Sequence, residues 1–324
     1  FNRNNTMKQI KLISIIAIII VSLSISFIIY YYNLQKPLPV VNTNTKIDKV
    51  SIKEIYHSKP DGEEWYINMN DPNHDLRTDP QTTLIKNNND DGDGNSWKIQ
   101  NTEVRYNVFT SSGFKPQLIT TLNQTELSKK GYMQSPNDWK NVEMTGYFKI
   151  NSFTSSEKNG AAHIELVARG GKNTNDKNLI NGLSEQCEST TYHSNTYETG
   201  RVKFEKDLEH TQGYTTDDKQ ISNAIKEPLL GRWIGIKAIF YNLANNNNSV
   251  KLEQYIDDNS NNNWHRVLSY IDNGHWGGGT PNCGGSDTQV ITWGGPIAIF
   301  RWDNIDDMDI KDFSIREIQL PNVK

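Results

Sequence analysis

The stretch NVEMTGYFKI, residues 141–150, alternates apolar and polar side chains. In an extended strand one face would carry its apolar members, which are Val142, Met144, Phe148 and Ile150. The opposite face would carry Glu143, Thr145, Tyr147 and Lys149. A period of two is the signature of a β-strand with one buried face. This stretch therefore predicts a strand that packs one side against a core.

The same alternation recurs from residue 50 onward, between loops rich in Asn, Asp and Gly. In AAHIELVARGG, residues 161–171, the apolar face carries Ala162, Ile164, Leu166 and Ala168. Helical periodicity is absent outside residues 12–32, except that residues 218–230 suggest one short helix. Many short strands between turns predict an all-β fold, an antiparallel β-sandwich of the jelly-roll kind. The last strand, DFSIREIQL, is expected to pair near the first, SIKEIYHS.

Composition excludes several classes of protein. The 324 residues include 34 Lys and Arg against 38 Asp and Glu, a net charge of −4. A protein bound to nucleic acid through phosphate contacts would show a basic surplus, so no nucleic-acid partner is expected. Two cysteines exclude a zinc-finger, iron–sulfur or disulfide-dense framework. Eight Trp, 14 Tyr and 10 Phe supply material for a core.

The N-terminal region contains an apolar run, LISIIAIIIVSLSISFIIYYY, at residues 12–32. About 20 apolar residues in a helix cross a hydrocarbon core of about 30 Å. Lys8 and Lys11 precede the run, which places the N-terminus in the cytoplasm by the positive-inside rule. We predict a cytoplasmic start and single-pass transmembrane anchor at 1–34, a linker at 35–49, and an extracellular jelly-roll domain at 50–324. A cleaved signal peptide is the alternative, although no A-x-A site follows the run.

Two cysteines lie in polar loops of the region predicted to be exported. They are Cys187 in LSEQCEST and Cys283 in PNCGGSD. An exported chain can keep a disulfide. A bridge between these residues would close a loop of roughly a hundred residues and stabilise the fold by about 4 kcal/mol in the chain-entropy model. The alternative is two unpaired thiols.

An acidic loop, NDDGDGN at residues 89–95, resembles half of a calcium-binding loop. Asp91, Asp93 and Asn95 offer oxygen ligands at alternate positions, so they are candidates for a structural calcium ion. An ordinary Asp/Asn/Gly turn explains the same composition. No other cofactor is required by the sequence.

The polar faces of several predicted strands combine charged, imidazole and aromatic groups. Such groups suit ligands rich in hydroxyls and carboxylates. Planar donors such as guanidinium groups form bidentate hydrogen bonds with carboxylates, and aromatic rings stack on sugars. The candidate substrate-binding residues are Glu103, Glu165, Arg169, Tyr197, Arg201, Lys203, Lys237 and Arg301. A solvated sheet face with cross-strand ion pairs would show the same periodicity.

Three short motifs resemble the concanavalin-A-like jelly rolls of the alginate-lyase type. NTEVR, residues 101–105, is similar to the family's E-L-x-R strand, and Ala161-Ala162-His163 supplies the His of its Q-[IV]-H strand without the Gln. The Y-F-K strand has two candidates, residues 147–149 and residues 299–301, the second with Ile305 where the family has a catalytic Tyr. The resemblance covers roughly residues 50–320 and implies this fold and polysaccharide lyase activity.

β-Elimination on a uronate needs a cation for the carboxylate, a base for the α-proton and an acid for the leaving oxygen. Arg105 and His163 are the candidates for the first two roles. Tyr147 is the tyrosine chosen for the third, and Tyr192, Tyr197 and Tyr255 are its alternatives. The sequence leaves three functions open. They are a membrane-anchored module that binds a polysaccharide, possibly an acidic one, a polysaccharide lyase on the same face, and a structural or adhesive surface protein that binds no glycan.

Overall fold

The structure is a computed structural model that describes residues 46–80, 82–87, 95–111, 138–154, 162–170, 191–208, 219–244, 246–277 and 287–320. Two β-sheets make up the fold. The eight-stranded sheet contains β1 (Glu64–Tyr66), β3 (Ile85–Lys86), β4 (Trp97–Ile99), β6 (Val142–Phe153), β11 (Trp233–Leu243), β12 (Asn246–Asp257), β13 (His265–Asp272) and β15 (Ile305–Glu317). The seven-stranded sheet contains β2 (Thr78–Pro80), β5 (Glu103–Phe109), β7 (His163–Gly170), β8 (Thr191–Tyr197), β9 (Val202–Asp207), β10 (Lys219–Ile221) and β14 (Ile297–Asp303).

Every pairing between these strands is antiparallel. The eight-stranded sheet has the order β13-β12-β11-β6-β15-β4-β3, with β1 also paired to β15. The seven-stranded sheet has the order β10-β9-β8-β7-β14-β5-β2. The prediction of an all-β fold with two antiparallel sheets is confirmed.

The core lies between the two sheets. Phe300 of β14 stacks on Phe313 of β15 with ring centroids 4.2 Å apart, and Tyr192 of β8 faces Phe240 of β11 at 6.3 Å. The apolar faces predicted for β6 and β7 belong to this core, which includes Val142, Met144, Phe148, Ile150, Ala162, Ile164, Leu166 and Ala168. The period-two pattern therefore identified correctly the sides of both strands that face the core between the sheets.

The chain passes directly from the seven-stranded to the eight-stranded sheet between β14 and β15. Asn304 makes the turn with a left-handed backbone, φ 60°, which Asn tolerates better than most residues. After it β15 takes a central place, between β6 and β4. A bridge between Ser58 and Ile318 joins the two ends of the described chain, which confirms the expected pairing near the first strand.

The helix expected at residues 218–230 is wrong for the part of it that is described. Residues 219–221 form the short strand β10, and residues 222–230 form a turn and bends that end in a β-bridge between Leu230 and Ile150. Near the end of this stretch, Pro228 has no N–H to donate within a helix. Pro72–His74 forms a short 3-10 helix. Within the described ranges no helix has the length and apolar character needed to cross a bilayer.

Several predictions fall on residues outside the described ranges. The anchor at 12–32, Cys187, Cys283, Asp91 and Asp93 all lie outside them. Asn95 is described and is exposed beside β4. The anchor, the disulfide and the calcium site therefore stay predictions.

Residues 46–58, the N-terminal segment, lie against the outer face of the eight-stranded sheet. The backbone N–H groups of Ile55 and Tyr56 each donate to Oε2 of Glu143 at 3.1 Å. The other oxygen of Glu143 accepts from Lys237 Nζ at 2.7 Å and lies 2.8 Å from Arg316 Nη2. These charged side chains are fully buried. The segment thus covers charged groups that a sandwich would otherwise expose.

Candidate functional site

The outer face of the seven-stranded sheet carries an array of mainly polar side chains, which we call the polar face. The strand register arranges it in three rows across β5, β14, β7, β8 and β9. The first row is Glu103, Asp303, His163 and Tyr197. The second is Arg105, Arg301, Glu165, Asn195 and Lys203. The third is Asn107, Ile299, Val167, His193 and Glu205. Neighbouring strands lie about 4.8 Å apart, so the polar face spans about 20 Å.

These side chains share a face because successive residues of a strand point to opposite sides. Between the rows stand core residues such as Ile164 and Leu166 of β7, and Phe300 and Trp302 of β14. Packing of those residues against the other sheet fixes the outward direction of the polar ones. The polar face is thus a product of the same alternation that builds the core.

Glu165 lies at the centre of the polar face. Its Oε1 accepts from His163 Nε2 at 2.8 Å, and its Oε2 accepts from His193 Nδ1 at 3.1 Å. Arg301 Nη1 lies 3.7 Å from the same Oε2. Burial would raise the pKa of Glu165, but the charge of Arg301 and the two imidazole hydrogen bonds outweigh it and hold the pKa well below its usual value. Glu165 is therefore a fixed anion between two imidazoles.

His193 is buried beside this carboxylate. Burial would lower its pKa, but the hydrogen bond to Glu165 and the charge of that carboxylate raise the pKa above the usual value. Its second ring nitrogen, Nε2, lies 2.7 Å from Thr191 Oγ1. Both nitrogens of the ring are therefore engaged, and the ring orientation is fixed.

Two guanidinium groups occupy adjacent strands in the second row. Arg301 pairs with Asp303, and Arg105 Nη1 lies 3.5 Å from Glu103. Burial and the neighbouring charge of Arg301 lower the pKa of Arg105. The two like charges stand directly opposite each other in the register, an arrangement that costs free energy unless anions lie nearby.

An aromatic stack closes one end of the first row. The ring of Tyr197 stacks on His163 with centroids 4.8 Å apart and planes at 23°. The Arg201 guanidinium lies 3.7 Å from the centroid of the same tyrosine ring. Burial raises the pKa of Tyr197, so its phenol stays protonated. The His163 side chain keeps 14% exposure, which leaves its edge open to solvent.

The structure brings most of the candidate residues together. Those on or beside the polar face are Glu103, Arg105, His163, Glu165, Tyr197, Arg201, Lys203 and Arg301. Of the two candidates for the third family motif, residues 299–301 lie in β14, between the strands that hold the other two motifs. Residues 147–149 lie in β6 of the opposite sheet.

Three candidates lie elsewhere, which corrects the expectation from sequence. The Tyr147 hydroxyl donates to Asp257 at 2.8 Å within the eight-stranded sheet, so it does not join His163 and Arg105. Lys237 lies in that sheet too, where it pairs with Glu143. Alternation predicts the polar side of a strand but not the sheet to which the strand belongs.

Arg169 leaves the polar face for a local reason. Its backbone is left-handed, φ 71°, which breaks the alternation at the end of β7. Its side chain is buried, and Nη1 donates to the carbonyl of Ile291 at 2.6 Å. The guanidinium lies 5.9 Å from the ring centroid of Tyr192, a core residue. Arg169 therefore holds a loop in place on the inner side.

Sequence reasoning missed His193, Asn195 and Asp303 as members of the site. β8 reads TYHSNTY and is polar on both faces, so its outward side could not be recognised. Asp303 could have been recognised from the sequence, because it lies two residues after Arg301 and therefore on the same face of the strand.

Two groups of the polar face have the donor types of a metal site. They are His163, Glu165 and Asp303, and Glu165, His193 and Glu205. Within each group the ligand atoms lie within 4.8 Å of one another.

No protein-family model and no curated protein matches this chain. The similar solved structures include legume lectins and alginate lyases. Lectin UEA-II complexed with galactose is 5% identical, with 80% of this chain and 99% of that one covered and a TM-score of 0.43. Winged bean acidic lectin complexed with methyl-α-D-galactose is 6% identical, with 79% and 99% covered and a TM-score of 0.40. The PL-14 alginate lyase from Aplysia kurodai is 8% identical, with 68% and 82% covered and a TM-score of 0.38. At these identities no ligand and no residue role carries over from them.

Proposed function

We propose that the polar face binds a polysaccharide that carries carboxylate groups, outside the cell, on a chain held by the predicted anchor. The observation that carries this proposal is the second row, in which Arg105 and Arg301 stand side by side on adjacent strands. A ligand carboxylate between them would accept forked hydrogen bonds from the two guanidinium groups. Lys203 lies at the far end of the same row.

The rest of the polar face offers what a polymer of sugars needs. The partly exposed side chains of His163, Lys203 and Glu205 supply hydrogen bonds to hydroxyls, and the stack of Tyr197 and Arg201 supplies a planar surface at one end. The array extends over five strands, so it can contact more than one sugar unit. Most of its side chains are fixed by neighbours on adjacent strands, which lowers the entropic cost of binding.

Affinity electrophoresis of the full chain in gels that contain uronate or neutral polysaccharides tests this proposal. We expect retardation by a uronate polymer and its loss in Arg105→Ala and in Lys203→Ala. Lys251→Ala is the matched control, because Lys251 is a lysine of β12 in the opposite sheet. Retardation that survives both polar-face variants, or that is lost equally in Lys251→Ala, would contradict the proposal.

A second candidate function is β-elimination on the same ligand. The observation that favours it is the contact of His163 with both an anionic Glu165 and a protonated Tyr197. The carboxylate would support His163 as the base, and Tyr197, one of the tyrosines that the sequence offers as the acid, would take that role in place of Tyr147. Arg105 or Arg301 would neutralise the uronate carboxylate.

Ultraviolet absorbance of an unsaturated uronate product tests this second function. A lyase would generate the absorbance, and His163→Ala would abolish it while retardation in the gel remains. Retardation in the gel without any unsaturated product would support a binding module that has no lyase activity. If neither gel retardation nor ultraviolet absorbance is seen, both functions of the polar face are rejected and the structural or adhesive hypothesis remains.

A further inference from the structure

We propose that Glu165, His193 and Glu205 form a binding site for a divalent first-row transition-metal ion of the Mn²⁺ or Zn²⁺ class. Their ligand atoms lie within 4.8 Å of one another. This inference does not rest on glycan binding, and its test contains no glycan.

The three residues come from three adjacent strands. His193 of β8 is directly opposite Glu205 of β9, and Glu165 reaches the group from β7 on the other side. His193 Nδ1 already lies 3.1 Å from Glu165 Oε2. One imidazole nitrogen and two carboxylates suit Zn²⁺ and Mn²⁺, whereas Ca²⁺ and Mg²⁺ favour oxygen ligands alone.

A neighbouring hydroxyl orients the imidazole. Thr191 Oγ1 lies 2.7 Å from His193 Nε2. A metal ion would displace the Nδ1 proton that Glu165 accepts, and with Nε2–H donating to Thr191 the lone pair of Nδ1 would then point toward the ion. Histidine ligands of metals are commonly held in this way, by a hydrogen bond from the ring nitrogen that does not bind the metal.

A buried amide supplies an independent observation. Asn195 follows His193 by two residues on the same face, opposite Glu165, and is 0% exposed. Its Oδ1 has no hydrogen-bond partner within the described part of the chain. A buried carbonyl oxygen without a partner costs free energy, and an ion or its bound water would satisfy it.

The second group, His163, Glu165 and Asp303, shares one carboxylate with this site. Within it, Arg301 pairs with Asp303. Lys203 pairs with Glu205 in the same way, so the ion must displace one cation to reach its third ligand. The choice between the two groups rests on Thr191 and Asn195, and variants can separate them.

Isothermal titration calorimetry of the purified full chain with MnCl₂, and separately with ZnCl₂, tests the proposal. The titration with Mn²⁺ separates this site from binding at cysteine thiols, because thiols favour softer ions. We expect one saturable site per chain, lost in Glu205→Gln, and weakened about 10–100-fold in Thr191→Val. Asp303→Asn tests the alternative group, and His265→Gln, an exposed histidine of β13, is the general control.

Each outcome of the titrations either supports or overturns the proposed metal site. Binding that is lost in Glu205→Gln, weakened in Thr191→Val and kept in both other variants supports the site. Binding absent from the native chain, unchanged in Glu205→Gln, or lost in Asp303→Asn would overturn it. Because Thr191→Val removes no ligand and no charge, a weakened affinity in that variant cannot come from a change in net charge.

Discussion

Replacing Glu143 by Gln should destabilise the protein strongly. Glu143 lies fully buried beneath the N-terminal segment, between Lys237 and Arg316. Burial alone would raise its pKa, but the charges of Lys237 and Arg316 outweigh burial and hold the pKa below its usual value. The carboxylate is therefore ionised and compensates both cations.

The expected loss of unfolding free energy follows from the charges around Glu143. Lys237 and Arg316 face two carboxylates, those of Glu143 and Glu54, the latter 3.3 Å from Arg316. Glu143→Gln takes from Lys237 its described ion-pair partner and leaves Arg316 in close contact with the Glu54 carboxylate. Removing one partner of a buried ion pair costs about 3–5 kcal/mol. Natural domains are stable by only about 5–15 kcal/mol, so the variant should lose a large share of its stability.

Urea unfolding of the full chain, followed by tryptophan fluorescence, measures this loss. Glu227→Gln, an exposed carboxylate, is the matched control and should stay within about 0.5 kcal/mol of the native chain. The double variant Glu143→Gln with Lys237→Met restores one cation to one carboxylate and should recover part of the loss. A loss below about 1 kcal/mol, or a double variant no better than the single one, would refute the reasoning.

Three further predictions concern buried groups. Tyr147→Phe should cost about 1.5–3 kcal/mol through its lost bond to the Asp257 carboxylate, yet leave polysaccharide retardation in gels unchanged. Asp272→Asn should cost about 3–5 kcal/mol in urea unfolding, because it leaves the fully buried Lys206 uncompensated. The stabilisation by Glu143, whose pKa is lowered on folding, is full above its unfolded pKa of about 4.3 and is lost as pH falls through the folded value. The difference in unfolding free energy between the native chain and Glu143→Gln should therefore shrink from pH 6 toward pH 3.

Alternation along single strands predicted more of this structure than any motif did. The core-facing sides of β6 and β7 followed from Val142, Met144, Ile164 and Leu166 alone, since side chains of a strand point alternately to its two faces. The same pattern placed His163 and Glu165 together on the outward side. Within one strand, periodicity is a local property and can be read directly.

The assignment of strands to sheets could not be read from the sequence. Tyr147 and His163 both looked like outward polar residues, yet β6 and β7 belong to different sheets. Pairing depends on contacts between distant parts of the chain, such as Arg301 of β14 with Glu165 of β7. Arg169 escaped prediction because one left-handed residue reversed its direction. Both errors concern information that no short window of residues contains.

The central place of β15 sets the order in which the protein can fold. Its partners are β6 on one side and β4 on the other, strands that are synthesised far earlier. Until residues 305–317 leave the ribosome, β6 and β4 each keep an unpaired edge. Such edges and long sequence separations slow folding and favour aggregation. We therefore expect this sandwich to fold after synthesis of its last strand, and a chain cut before residue 305 to aggregate.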